Sequence, residues 1–310
     1  MLHLILFIGV FFGASKEPQR KTITHGKIRI DLNIDLGGRI DQICYNEQPL
    51  LFPAKEHPEY NGSVWWPSPQ KDWHWPPPKS IDRNPYKLTR GNGLIQLRSI
   101  PGPESDLQLK KTIQLLNDHQ IRLIYEATNI GKLPKKFGHW EVTRLPKGGR
   151  VIFPVGELLA KKEHPKLRSS LFFNDPDLIP SCINKNEKCF NIEISEKTAC
   201  IPQTDKFKLL ADASEGWAAY LKDGLLLVKR FKDTPIAELP PEQGEVELFV
   251  NPSLNFIELE QHGQYQKVLP DHTSIWVVDW YILEYPSALS QDVKIIKEFI
   301  NNNIHLISSY

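Results

Sequence analysis

The sequence predicts an all-β protein: a large antiparallel sandwich with one helix near its C-terminus. Three observations predict it. About fourteen segments place apolar residues at a period of two or in short apolar runs, as strands do. Twenty-five prolines and 18 glycines, against one methionine, divide the 310 residues with turns. No helical segments alternate with the strands, which argues against a parallel α/β fold. Large β-sandwiches reach this length as one unit. The net charge is +1 and basic residues do not cluster, so nucleic acid is not an expected partner.

In chain order, Met1 to Ser15 (MLHLILFIGVFFGAS) is apolar and turns charged at Lys16. It is too short to span a bilayer comfortably and reads as the h-region of an export signal, with Gly13 and Ser15 at a cleavage site. The n-region lacks Lys and Arg. The expectation is a periplasmic or extracellular protein with no stable membrane span once residues 1–15 are removed. Lys27 to Asp35 alternates Ile28, Ile30, Leu32 and Ile34 with polar residues, a strand with one buried face. Gly37-Gly38 breaks it, and a second strand runs from Arg39 toward Cys44. Tyr60 to Lys79 (YNGSVWWPSPQKDWHWPPPK) holds four of the eight tryptophans among five prolines. Proline fixes φ and removes a donor, so this stretch is expected to be a stiff loop, neither helix nor central strand.

Strands follow at 94–100, 107–116, 120–129, 137–143, 150–155, 189–194, 207–211, 217–221, 225–231, 245–250, 255–260 and 274–283. Asn117-Asp118 and Lys222-Asp223-Gly224 supply turns between them. Leu158 to Ser181 is less regular and reads as an insertion or lid. Ser290 to Asn302 spaces Val293, Ile296, Phe299 and Ile300 as a helix does, with Ser290 as a candidate N-cap. The expected organisation is a signal at 1–15, a sandwich at 22–286 and a helical extension at 287–310. Cys182 and Cys189 are spaced to close a small loop, either can pair with Cys200, and four free buried thiols including Cys44 are the alternative.

The candidate chemistry lies in four places. Flat rings held by proline suit the apolar face of a sugar, which makes Trp65, Trp66, Trp73 and Trp75 candidate platforms and Gln70 and His74 candidate hydroxyl partners. The alternative is a covering loop whose tryptophans plug a core. In FGHWEVT, His139, Glu141 and Thr143 share one face of a strand, and Trp140 and Val142 share the other. In LNFIELEQ, Phe256, Glu258 and Glu260 share a face. Two carboxylates beside an aromatic suggest a wet groove or a partnered site; a solvated outer face is the ordinary alternative. Arg39, after its glycine turn, is a candidate clamp for a carboxylate or hydroxyl pair. His262 and His272 fall in turn-like sequence and are expected to be exposed. No phosphate-cradling glycine loop, nucleophile elbow or metal-spaced histidine pair occurs, so neither cofactor nor metal is expected.

Three segments, GGRIDQI (37–43), YEATNIGKLPKKFGHWEVTRL (125–145) and FIELEQHGQYQKVLPDHTSIWVVDWYIL (256–283), resemble the galactose mutarotase-like superfamily. With WWPSPQKDWHWPPP, the first two look closest to a bacterial branch of unknown function. The resemblance implies a super-sandwich fold and acid/base opening of a sugar ring. By position it makes His139 the acid and Glu258 or Glu260 the base, with Glu258 preferred. It also departs from the epimerase pattern: Gly138 and Trp140 replace the asparagine and serine flanking the histidine, and the second histidine has only His74 as a positional match. Three functions therefore stand side by side: an exported aldose 1-epimerase-like isomerase, a glycan-binding protein without turnover that uses Arg39, Trp140 and the tryptophan loop, and a structural subunit docking through that loop. A facing His139–glutamate pair favours the first, exposed tryptophans without that pair favour the second, and buried tryptophans count against both and favour the third.

Overall fold

The computed structural model of the chain describes residues 19–91, 94–155, 171–172, 183–184, 187, 189–194, 207–251 and 253–304. The predicted signal at 1–15, all but 171–172 of the insertion, and Cys182 and Cys200 lie outside the described residues. Cys44 and Cys189 are buried free thiols.

Two antiparallel sheets form the body. The eleven-stranded sheet runs, edge to edge, through Arg20–His25, Ile28–Asn33, Arg39–Tyr45, Ser63–Ser68, Lys135–Pro146, Phe256–His262, Val246–Val250, Phe207–Ala211 and Leu171–Phe172. The short strands Gln48–Pro49 and Gln266–Val268 pair with Arg39–Tyr45 and Lys135–Pro146. The ten-stranded sheet runs through Ile183–Asn184, Cys189–Ile194, Gly149–Pro154, Trp217–Lys222, Leu225–Phe231, Thr273–Glu284, Gln120–Asn129, Leu107–Asn117, Leu94–Ser99 and Tyr86–Gly91. Their inner faces meet in one core that includes Ile30, Trp65, Leu145, Leu259, Leu109, Leu123, Leu227 and Trp280. Alternation along each strand supplies this face, and the period of two leaves the other face of each sheet for other work.

The outer face of the ten-stranded sheet is covered by the helix Val293–Asn303. Val293, Ile296 and Ile300 pack on Ile152, Trp217, Leu226 and Val228. Its N-cap is Asp292, whose carboxylate accepts from the Lys294 amide at 2.8 Å; Ser290, the predicted cap, instead accepts from the Asp292 amide at 3.1 Å. Either side chain can satisfy an orphan donor, and the backbone entry angle decides which one does. Among the described residues no helix is long and apolar enough to cross a membrane.

One expectation is corrected. The tryptophan stretch begins as a strand inside the sheet, Ser63–Ser68, paired along its length with Lys135–Pro146 and, on its other side, with Arg39–Tyr45 only at Ser63. Beyond Ser63 it has a strand neighbour on one side alone, and there Pro67 is tolerated as prolines are on sheet edges. Gly37 and Gly38, both at positive φ (62° and 53°), turn the chain where a Cβ would collide with the Asp82 backbone or the Tyr86 ring.

Candidate functional site

The eleven-stranded sheet turns its second face away from the core. Register builds its surface. Trp66 pairs with Trp140, Val142 with Glu260, Arg144 with Glu258, Glu260 with Glu247, Glu258 with Phe249 and Phe249 with Lys208. Directly paired residues share a face, so these side chains converge on one side of the sheet. Trp66, Trp140, Glu258, Glu260, Phe249 and Lys208 line a groove of about 610 Å³, together with Tyr60, Gln70 and Trp75 from the proline-rich segment and with Asn251, Leu254 and Phe256.

The aromatic part is a small core of its own. Trp66, Trp140, Val64 and Val142 are buried together with Trp73 packed against them. Trp66 meets Trp140 edge to face at 5.2 Å and 80°, and meets Trp75 at 5.9 Å and 85°. Each indole N–H has a fixed acceptor: Trp66 donates to Asp82 at 2.8 Å, Trp73 to the Pro67 carbonyl at 2.7 Å and Trp140 to Glu260 at 2.8 Å. Rings that bury their body and tie down their one polar atom keep their angle. Trp75 differs, being 51% exposed.

The charged part is a row of compensated ions. Arg144 lies over Tyr60 and Trp66, at 5.5 and 5.6 Å, and donates through Nε to Glu258 at 2.9 Å. Lys208 Nζ stands between Glu247 at 2.6 Å and Glu260 at 3.2 Å, and 5.1 Å over the Trp140 ring. Burial pushes the Glu260 carboxyl above the usual range, Lys208 opposes this, and Glu247 and Glu258 add to it. Glu247, equally buried, goes the other way because Lys208 and His262 hold its charged form. One ammonium thus serves two carboxyls, and of the two it is Glu260 whose neutral form the surroundings favour. Burial lowers the His262 pKa while Glu247 opposes; this ring stacks on Trp140 at 5.1 Å and reaches Ser68 Oγ with Nδ1 at 3.1 Å. His262 is buried, contrary to expectation, because the strand Phe256–His262 extends further than its apolar pattern; His272 is exposed as expected.

Glu247, Glu260 and His262 bring their ligand atoms within 4.8 Å of one another, as do Asp212, Asp233 and Glu245. In the first set the ammonium of Lys208 already meets the carboxylates' charge. In the second, Glu245 accepts from the amides of Thr234 at 2.6 Å and Ala213 at 3.1 Å.

The structure brings together Trp66, Gln70, Trp75, Trp140, Glu258 and Glu260 from the sequence-predicted set. It separates the others. His139 is corrected: it points between the sheets, 1% exposed, stacked on Trp276 at 5.7 Å. The Trp65 indole N–H donates to its Nδ1 at 3.1 Å. An indole only donates, so Nδ1 is the acceptor and Nε2 carries the proton, 2.8 Å from Ser274 Oγ. Burial lowers the His139 pKa to about 3, leaving a neutral ring. Strand alternation sends Trp140 to the groove and therefore His139 away from it. Glu141 shares that inner face, bound to Tyr125, to Lys229 at 2.7 Å and to Trp280 at 3.2 Å. Trp65 is corrected for the same reason, being core opposite Trp66's groove position. Arg39 is corrected too: fully enclosed, it donates to the Glu59 carbonyl at 2.7 Å and Asn61 at 3.0 Å and faces Asp82 at 3.6 Å. Trp73 supports the groove rings from behind, and His74 lines an adjoining depression.

Sequence reasoning missed Arg144, Lys208, Tyr60 and Glu247. The signal for Arg144 was available, since it lies on the Trp140 face at an even spacing. Lys208 enters only through the long-range pairing of Phe207–Ala211 with Val246–Val250, and Glu247 through the pairing of Val246–Val250 with the strand that follows it. Gly138 also has a local reason: a Cβ there would meet Pro240 at 2.7 Å and the Gly263 carbonyl at 2.9 Å.

A second cavity, about 660 Å³, is lined by Lys27, Tyr45, His119, Arg122, Asp279, Glu284 and Phe299 among others. Its charges are committed to each other, Arg122 to Asp279 through two bonds of 2.8 Å and Lys27 to Glu284 at 3.1 Å.

The fold is that of the galactose mutarotase-like proteins. A putative aldose 1-epimerase from Escherichia coli K12 superposes with a TM-score of 0.59 at 13% identity, over 86% of this chain and 99% of that one. The GalM/aldose epimerase homologue from C. elegans gives 0.57 at 8% identity, over 87% and 100%. A galactose mutarotase-like protein from Clostridium acetobutylicum gives 0.53 at 8% identity, over 87% and 100%. At these identities the likeness is one of fold. No curated protein matches the chain. Residues 19–283 match the model of a family described as a domain of unknown function, DUF4380, and the chain belongs to that family.

Proposed function

We propose that the protein binds carbohydrate in the groove on the outer face of the eleven-stranded sheet. One observation carries this reading: fixed aromatic rings and a row of hydrogen-bonding ions share a single open cavity. A sugar presents a C–H face to the first and hydroxyls to the second. The charges cancel when Glu260 holds its proton, which suits a neutral ligand. Titration calorimetry with common hexoses and pentoses and their di- and trisaccharides tests it; binding that Glu258→Gln and Trp66→Phe weaken is expected, and no heat with any of these sugars would refute it.

A second reading is favoured by Glu258 and Glu260 lining the same floor. Glu258, paired with Arg144, accepts the proton of the anomeric hydroxyl. Glu260, whose neutral form burial favours, donates to the ring oxygen in place of the histidine that faces the core. As one gives a proton and the other takes one, the ring opens to the aldehyde, and rotation before reclosure interconverts the anomers. Polarimetry on fresh α-aldoses tests this: acceleration that Glu258→Gln abolishes is expected, and a rate equal to buffer refutes turnover while leaving binding to be judged by calorimetry. We also propose that residues 1–15 direct export and are removed. N-terminal sequencing of the protein from a native host checks this, and an intact Met1 would refute it.

A further inference from the structure

We infer that the groove takes an oligosaccharide of at least two sugar residues, laid across Trp75 from the ionisable cavity into a second depression beside it. This rests on the carbohydrate reading above. The second depression, about 460 Å³, is lined by Pro69, Lys71, His74, Glu242 and Gln243 among others. It shares Gln70, Trp75 and Lys208 with the first. Two cavities with three side chains in common are neighbours on one surface, and the shared side chains form the ridge between them.

Trp75 is the ridge's most exposed part. It is held edge-on by Trp66 and tilted against Tyr60 at 6.3 Å, with half of its surface open. The backbone is shaped to hold it there. A short turn at Gln70–Asp72 ends with the His74 amide donating to the Gln70 carbonyl at 3.0 Å. His74 itself sits at φ 55°, a left-handed conformation that a non-glycine side chain adopts at a cost. That conformation sends His74 into the second depression while Trp75 borders both. The depression's other partners, Lys71, Glu242 and Gln243, supply donors and acceptors but no second aromatic face. A sugar seated there has Trp75 as its apolar surface, and the next sugar in the chain reaches Trp66, Trp140 and the two glutamates. A monosaccharide would fill one cavity and leave half of the built surface to water.

The test is calorimetry on the full chain with three homologous series: glucose, cellobiose and cellotriose; galactose, β-1,4-galactobiose and the triose; xylose, xylobiose and xylotriose. In the series that binds, the disaccharide is expected to bind about 10-fold tighter than the monosaccharide. Trp75→Ala, at an exposed position and with circular dichroism as the check that the fold is kept, is expected to remove most of that gain. His74→Ala is expected to weaken the disaccharide by a larger factor than the monosaccharide. Equal affinity for one and two sugars overturns the two-depression inference and leaves the carbohydrate reading standing. Binding of no member of any series overturns both.

Discussion

The placement of His139 makes a quantitative prediction about pH. Its ring is enclosed by Trp65, Phe137 and Trp276, and burial alone lowers its pKa from 6.5 to about 3. The unfolded chain therefore binds a proton at this site that the folded one refuses between those values. Stability is fully present above the unfolded pKa and is lost as pH falls toward the folded one. At 1.36 kcal/mol per unit, lowering the pH from about 7.5 to about 4.5 removes about 2.5 kcal/mol through this residue, an upper figure for a site that relaxes. His139→Phe keeps the ring stack but lacks the titration. At neutral pH it costs about 2 kcal/mol, since the Trp65 N–H loses its acceptor. Urea denaturation of both proteins at the two pH values isolates the effect, because every other titrating group cancels in the comparison. The gap between them should shrink or reverse in acid. Parallel pH profiles would refute the buried neutral histidine, and so would loss of ligand binding by His139→Phe at unchanged stability.

Other outcomes follow from the same geometry. Glu247→Gln removes the carboxylate nearest Lys208 and should cost about 3 kcal/mol, whereas Glu260→Gln, at the carboxyl whose neutral form burial favours, should cost under about 1 kcal/mol; chemical denaturation ranks them, and the reverse order would contradict the opposite directions in which the two carboxyls are pushed. Arg39→Ala, leaving Asp82 and Asn61 buried without it, should destabilise by about 3 kcal/mol with little change in ligand affinity among molecules still folded. Trp66→Ala should cost about 3–4 kcal/mol and Trp75→Ala under about 1 kcal/mol in thermal melts, since the first is enclosed and the second half open. Gly138→Asn, which restores the epimerase residue, should destabilise by about 1–3 kcal/mol against Pro240 and the Gly263 carbonyl and should not create activity.

Sequence alone determined the sandwich, most of its strands, the C-terminal helix and the pairing of Phe256, Glu258 and Glu260 on one face. These depend on local alternation, which a chain carries in its own spacing. It also separated His139 from Trp140, but alternation says only that two faces differ, never which one is interior. Tertiary structure decided that. Pairing beside Ser63–Ser68 put Trp65 and His139 between the sheets and Trp66 and Trp140 in the groove. It brought Lys208, from a strand far earlier in the chain, beside Glu247 and Glu260. It enclosed Arg39, which the sequence offered as a clamp. The charge state of a carboxyl is a property of its neighbours in space, so Glu247 and Glu260 are pushed in opposite directions only once those three strands lie side by side.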